Sequence, residues 1–182
     1  MRRYVAGDVR AFEALFTRLA PRVHGFLLRS FRDPAAADDL LQATFLKIHR
    51  ARSNYREGEP LRPWVFTIAA NVRLDELRRR YRVPSASPED VDALLERQSR
   101  DAAKLPTDDP TDLAERASRV RSALAQLPEP TRVVIELNRL EGLSFAEIGQ
   151  ALGISQGAAK LRAFRGYETL RGLLGDLAEG SA

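Results

Sequence analysis

The sequence predicts an all-α protein in which two small helical domains are joined by an extended linker. Apolar residues recur at helical spacing through most of the chain, whereas the alternating pattern typical of strands is almost absent. Residues 84–112 are instead rich in proline, serine and aspartate, which is linker composition. With 182 residues, of which 44% are apolar, the chain is long enough to bury a core on each side of that linker.

Residues 1–83 are predicted to form a four-helix domain. Asp33 followed by Pro34 is typical of an N-cap and the first position of a helix. Pro63 similarly begins the fourth helix, after a loop that contains asparagine, glycine and proline. The four helices are expected over residues 9–19, 23–31, 34–52 and 63–80.

Residues 84–112 are predicted to be an acidic flexible linker. They carry three lysines and arginines against eight acidic residues. One short helix is compatible with this segment, capped by Ser87 and bearing a small apolar patch at Val91, Leu94 and Leu95. Fully extended, the residues from 85 to 111 would span roughly 90 Å, so the two domains can dock far apart.

Residues 113–182 are predicted to form a helix-turn-helix domain. Ser144 and Glu147 match a capping box, in which the two side chains satisfy free amides at a helix start. The helix ends at Gly153, and Ser155 caps a second helix that runs to about residue 174. A tight glycine turn between two helices is typical of this DNA-binding motif.

The distribution of charge indicates a polyanionic partner. Residues 1–83 hold 17 basic against 9 acidic residues, whereas residues 113–182 hold 9 against 8. A basic domain favours nucleic acid as a partner, although a solvated surface explains the same excess. The chain has no cysteine and no apolar run of membrane-spanning length, so a cytoplasmic location is expected. No constellation of catalytic or metal-ligating residues stands out, so neither enzymatic activity nor a cofactor is expected.

The last helix has an outward face suited to reading DNA. Helical geometry places Ala159 and Gly166 on the core side and leaves apolar and basic groups outside. In a major groove, apolar side chains contact thymine methyls and arginines contact guanine edges. The alternative is that this face packs on the linker or on a dimer mate. The candidate duplex-binding residues are Ser155, Gly157, Lys160, Leu161, Arg162, Phe164 and Arg165.

Two further groups of polar residues lie on the outer faces of the third and fourth helices. Asp39, Gln42 and Leu46 on the third helix form a candidate protein-docking patch, although a solvated face is also compatible with the spacing. On the fourth helix an amide and a basic cluster, near two aromatic residues, supply groups that hold an unstacked base. Core packing explains Trp64 equally well. The candidate single-strand residues are Tyr55, Asn71, Arg78, Arg79 and Arg80.

In order and spacing, several motifs of the chain together resemble the extracytoplasmic-function sigma factors of the sigma-70 family. They are Asp39-Leu40-Leu41-Gln42-Ala43-Thr44-Phe45, Pro63-Trp64-Val65-Phe66-Thr67-Ile68-Ala69-Ala70-Asn71, Leu127-Pro128-Glu129, Glu141-Gly142-Leu143-Ser144 and Glu147-Ile148.

This resemblance implies that residues 1–83 are sigma region 2 and residues 113–182 are sigma region 4. It implies that Asp39, Gln42 and Leu46 bind the β′ clamp helices of core RNA polymerase, with further contact to the β flap. It also implies that Tyr55, Asn71 and the three arginines bind the non-template single strand of the −10 element. The last helix would read the −35 duplex, and an anti-sigma factor is an expected partner.

The chain departs from the family pattern in its last helix. Ala158 and Leu161 stand where threonine and serine are common, and Gly166-Tyr167 replaces a frequent alanine-arginine pair. The resemblance therefore does not imply a particular duplex sequence. A stand-alone helix-turn-helix repressor that acts without polymerase is the alternative function.

Overall fold

A computed structural model describes residues 1–83, 86–101 and 112–179 of the chain. Within these ranges the secondary structure is helical and contains no strand. The helices are α1 (Arg2–Val5), α2 (Val9–Phe31), α3 (Pro34–Ala51), α4 (Leu61–Tyr81), α5 (Pro88–Asp101), α6 (Asp112–Gln126), α7 (Glu129–Arg139), α8 (Phe145–Leu152) and α9 (Gln156–Glu179), with a 3₁₀ turn at Arg52–Asn54.

Helices α2, α3 and α4 pack around a core that contains the buried rings of Phe26 and Phe66, which meet edge to face at 5.8 Å between centroids. Asp33 caps α3 as predicted, because its side chain accepts a hydrogen bond of 3.2 Å from the backbone N–H of Ala36. Pro34 follows in the first turn, where its missing N–H costs nothing.

The prediction of two helices over residues 9–31 is wrong, because α2 is continuous and contains Pro21. Buried Leu19 and Val23 lie on either side of the proline and are four residues apart, so the apolar stripe keeps its phase through it. One continuous helix therefore buries the whole stripe in one core, and this offsets the hydrogen bond that proline removes.

The helix-turn-helix forms as predicted from helices α8 and α9. Ser144 Oγ accepts a hydrogen bond from the N–H of Glu147, and Glu147 Oε2 accepts one of 2.7 Å from the N–H of Ser144, which completes the capping box. Gly153 ends α8 at φ +70°, a left-handed conformation that glycine adopts without strain.

The short helix allowed by the linker sequence is present as Pro88–Asp101. Its packing on both domains was not predicted. Ser87 caps it, accepting a hydrogen bond of 3.1 Å from the backbone N–H of Asp90. Val91 and Leu95 are buried with Leu77 of α4, so the small apolar patch uses the first domain to complete its core.

The two domains share an interface in which α8 packs on α4 and their apolar cores are continuous. Around it, arginines of the first domain face glutamates of the second. Arg73 donates to Glu129 with its Nε 3.0 Å from Oε1 and with its Nη2 to the same oxygen. The other pairs are Arg22 with Glu141 and Arg29 with Glu136, each 2.9 Å apart.

Candidate polymerase and nucleic-acid interfaces

A surface pocket of about 430 Å³ lies between α3 and α4. It combines two cations, two amides and two apolar side chains, and Asn71 of the predicted single-strand group is one of its exposed members. Such a combination can hold a base by its face and edge while balancing the phosphate beside it. The lining residues are Lys47, Arg50, Ala51, Asn54, Ile68 and Asn71.

Sequence analysis missed Lys47, Arg50 and Asn54 as members of this pocket. Lys47 and Arg50 are three residues apart on α3, so helical spacing predicts that they share a face. Their position opposite Asn71 depends on how α3 packs against α4, and no local pattern gives that information. Lys47 also pairs with Asp75 of α4, with Nζ 2.9 Å from the carboxylate, which ties the two walls of the pocket together.

Tyr55 is not brought together with Asn71. Its ring packs edge to face against Trp64, with the centroids 5.3 Å apart, and its hydroxyl donates to the backbone carbonyl of Glu59. Trp64 in turn packs partly buried against the core, so the core interpretation of this residue is confirmed. Tyr55 therefore holds the shape of the loop after α3, and its neighbour Asn54 lines the pocket.

The three arginines at the end of α4 have intramolecular partners. Arg79 and Arg80 both donate to Glu76, at 2.7 and 2.8 Å, and Arg80 also lies over the ring of Phe31. The hydrogen bond from Arg79 lowers the pKa of Glu76, although partial burial opposes that shift. Arg78 donates to the carbonyl of Ala86, two residues before the linker helix α5 begins. The cluster is thus basic but partly neutralised.

The outer face of α3 has the composition predicted for a docking patch. Asp39 and Gln42 are exposed, and Leu46 is 50% exposed, although its neighbours Phe45 and Ile48 are buried. The apolar surface of Leu46 lies among polar groups, an arrangement common in protein interfaces.

The outward face of α9 is exposed as predicted. Phe164 is 63% exposed and Leu161 is 49% exposed, while Ala159 and Gly166 on the opposite face are buried. Ser155 caps the helix through a hydrogen bond of 3.0 Å from the N–H of Ala158. The exposed residues of α9 also include Gly157, Lys160 and Arg165.

Arg162 differs from the other candidates on α9. Its Nη1 donates a hydrogen bond of 2.6 Å to Asp92 of the linker helix, and both side chains are largely buried. Burial raises the pKa of Asp92, and the positive charge of Arg162 opposes that shift. One flank of α9 therefore packs on the linker, as the alternative interpretation expected, while Leu161 and Phe164 remain exposed.

Gly166 allows α9 to approach α7 closely. A Cβ at this position would lie 2.5 Å from Ile135 Cδ1 and 2.6 Å from Thr131 Cγ2, so the alanine frequent in the family would require both side chains to shift. Tyr167 faces α7 as well, and its hydroxyl accepts a hydrogen bond of 2.9 Å from Arg139 Nε. These two departures from the family pattern thus serve packing within the domain.

Within the described ranges, no cluster of three or more histidine and acidic side chains is arranged to hold a metal ion. No described helix is long and apolar enough to cross a membrane.

Comparison with known proteins identifies the family. The model of sigma-70 region 2 matches residues 15–83, and that of sigma-70 region 4 matches residues 117–170. The RNA polymerase sigma factor CarQ of Myxococcus xanthus is 47% identical over 178 residues, which cover 97% of each chain. The sigma factor SigM of Mycobacterium tuberculosis is 33% identical over 97% of this chain and 84% of its own.

Solved structures show the same fold. The sigma factor RpoE, in complex with the anti-sigma factor NepR from Bartonella quintana, matches with a TM-score of 0.63 at 23% identity over 91% of this chain and 98% of its own. CnrH in complex with the cytosolic domain of CnrY matches with a TM-score of 0.60 at 25% identity, over 96% and 94%.

The chain belongs to the extracytoplasmic-function group of the sigma-70 family. It is an alternative sigma factor, which binds RNA polymerase and directs it to promoters at the start of transcription. The comparisons give no support to a repressor that acts without polymerase.

Proposed function

We propose that the chain divides promoter recognition between two domains, residues 1–83 and 113–182, which residues 84–112 connect. The first binds the β′ clamp helices and one strand of the melted −10 element. The second reads the −35 duplex and contacts the β flap. The observation that carries this proposal is the pocket between α3 and α4, where basic and amide groups surround an opening large enough for a base.

Capture of an unpaired base is assigned to this pocket. Lys47 and Arg50 supply positive charge for the backbone, and Asn71 and Asn54 supply amides for the base edge. Arg78, Arg79 and Arg80 extend the basic surface along α4, and Tyr55 supports the loop that carries Asn54. A base that leaves the stack loses a few kcal/mol of stacking and pairing, so binding here favours strand separation.

Polymerase binding is assigned to Asp39, Gln42 and Leu46. All three side chains are exposed on one face of α3. This face and the pocket are both built on α3, so a polymerase bound to one is adjacent to the strand bound in the other.

Duplex recognition is assigned to α9. Leu161 and Phe164 are large apolar groups exposed to water, and burial against thymine methyls would remove that exposure. Arg165 and Lys160 flank them with donors for guanine edges and phosphates. Ser155, Gly157 and Arg162 complete the surface at the start of the helix and at its side.

The proposal is tested by adding the purified chain to core RNA polymerase and sequencing the transcripts made from genomic DNA. The expected result is initiation at defined positions. The DNA upstream of each start site should contain the same two promoter sequence elements. Failure to start any transcript, together with tight and selective duplex binding without polymerase, would reject the proposal.

Asn71→Ala is expected to impair open-complex formation by about fivefold to 150-fold, since loss of a good hydrogen-bonded contact to a base costs about 1–3 kcal/mol. Permanganate footprinting of the −10 element measures this loss. Binding to core polymerase should remain within twofold of wild type in a pull-down. Gln126→Ala, which removes an exposed amide from α6, is the matched control and should melt the promoter normally.

A further inference from the structure

The linker helix α5 lies directly against the helix-turn-helix. At its start, Pro88 fits against the turn so closely that a Cβ added to Gly153 would lie 2.9 Å from Pro88 Cγ. One turn later, Asp92 accepts the hydrogen bond of 2.6 Å from Arg162 of α9. The linker therefore contacts both the turn and the helix to which duplex recognition is assigned.

A buried ion pair and a buried apolar contact together hold α5 in this position. Asp92 and Arg162 are only 13% and 16% exposed, and a charge-assisted hydrogen bond in such a site is stronger than one on the surface. On the other side of α5, Val91 is fully buried against the first domain. The position of α5 is thus fixed by an apolar contact on one side and an ion pair on the other.

Arg162 borders a second pocket, of about 360 Å³, that reaches the outward face of α9. Arg162 and Arg165 both line it, so the lining carries two positive charges suited to an anion. Phosphates of a duplex seated on α9 would be the anions nearest to this flank. The lining residues are Pro128, Thr131, Ala158, Leu161, Arg162, Arg165 and Thr169.

We propose that α5 and DNA compete for α9. When α5 is docked, the Asp92 carboxylate binds the guanidinium of Arg162. When α5 is displaced, a backbone phosphate of the −35 duplex binds the same guanidinium. The inference rests on the proposed function of α9 as the duplex-binding helix. The Asp92 carboxylate occupies the largely buried guanidinium of Arg162 and neutralises its charge, so duplex binding and docking of α5 oppose each other. The free chain therefore binds its duplex more weakly than a chain whose linker helix is released.

Asp92→Asn tests the competition, because it preserves the shape of the side chain and removes the charge. The probe is a fluorescent duplex carrying the upstream element of a promoter mapped by transcript sequencing. It is titrated with the full chain at one salt concentration, since phosphate contacts depend on salt. The variant is expected to bind about fivefold to tenfold more tightly than wild type, a usual size for coupling between two sites.

Asp38→Asn is the matched control, because it removes an exposed carboxylate of α3 and changes the net charge equally. It is expected to bind the duplex as wild type does. Equal affinities of wild type and Asp92→Asn would overturn the inference and leave the proposed function intact. Absence of binding by both would contradict the inference and the assignment of α9 together.

A second measurement follows α5 without DNA. The chain has no cysteine, so Ala93→Cys and Gly172→Cys, both at exposed positions, accept one nitroxide label each. Double electron–electron resonance measures the distance between the two labels. It is expected to give one narrow distance distribution in the wild-type background. With Asp92→Asn or with saturating duplex, the distribution should become broader and shift to longer distances. A distribution that neither change alters would overturn the inference, whatever the affinities are.

Discussion

Arg73→Met is expected to separate the two domains. Arg73 of α4 and Glu129 of α7 have side chains that are 3% and 9% exposed, and Glu129 Oε2 already lacks a hydrogen-bond partner. Removing one member of a buried pair leaves an uncompensated charge, which costs about 3–5 kcal/mol. Undocking exposes Glu129 to water and relieves that cost, so the interface opens while each domain keeps its fold.

Small-angle scattering of the free chain measures this opening as an increase in the radius of gyration, and circular dichroism checks that the helices persist. The double variant Arg73→Met, Glu129→Met is the control, since replacing a buried ion pair by apolar groups of similar volume is often neutral. It should be as compact as wild type. A single variant as compact as the double variant would show that the ion pair does not hold the domains together.

Gly149→Ala is expected to destabilise the helix-turn-helix by about 1–3 kcal/mol, the usual cost of overpacking. A Cβ at this position would lie 2.8 Å from the backbone oxygen of Ile154 and 3.3 Å from the backbone nitrogen of Gln156. Backbone atoms of the turn cannot move aside as a flexible side chain can. The angle between α8 and α9 must change instead, so duplex binding should weaken as well.

Gly172→Ala is the matched control, because a Cβ there meets nothing within 4 Å. Alanine is the better helix former, so this variant should gain up to about 1 kcal/mol. Urea denaturation of the two variants measures both changes in the free energy of unfolding. A gain in stability for Gly149→Ala as large as that for Gly172→Ala would show that the close approach of Gly149 to the turn carries no cost.

Local signals in the sequence predicted most of the secondary structure. The capping box of Ser144 and Glu147, the N-cap Asp33 and the left-handed Gly153 each depend on residues within a few positions of one another, so their patterns are visible in the chain. The predicted break between residues 19 and 23 is absent, because the apolar stripe of α2 continues past Pro21.

The parts of the site that sequence analysis missed depend on contacts between distant residues. Asn71 was found from its place beside a basic cluster, but Lys47 and Arg50 join it only because α3 packs against α4. The pairing of Asp92 with Arg162 spans 70 positions and required the linker to fold back. Tertiary packing determines whether such distant charged residues form ion pairs, and a single sequence does not reveal that packing.

The contact of α8 with α4 has a consequence for promoter affinity. The −10 and −35 elements are roughly 25 base pairs apart, about 85 Å along B-DNA at about 3.4 Å per base pair. A chain whose two halves touch cannot occupy both elements at once, so only the separated population is competent to bind. The apparent dissociation constant is the intrinsic one divided by the competent fraction. Core polymerase, by holding the halves apart in advance, would remove that penalty and make promoter binding conditional on the enzyme.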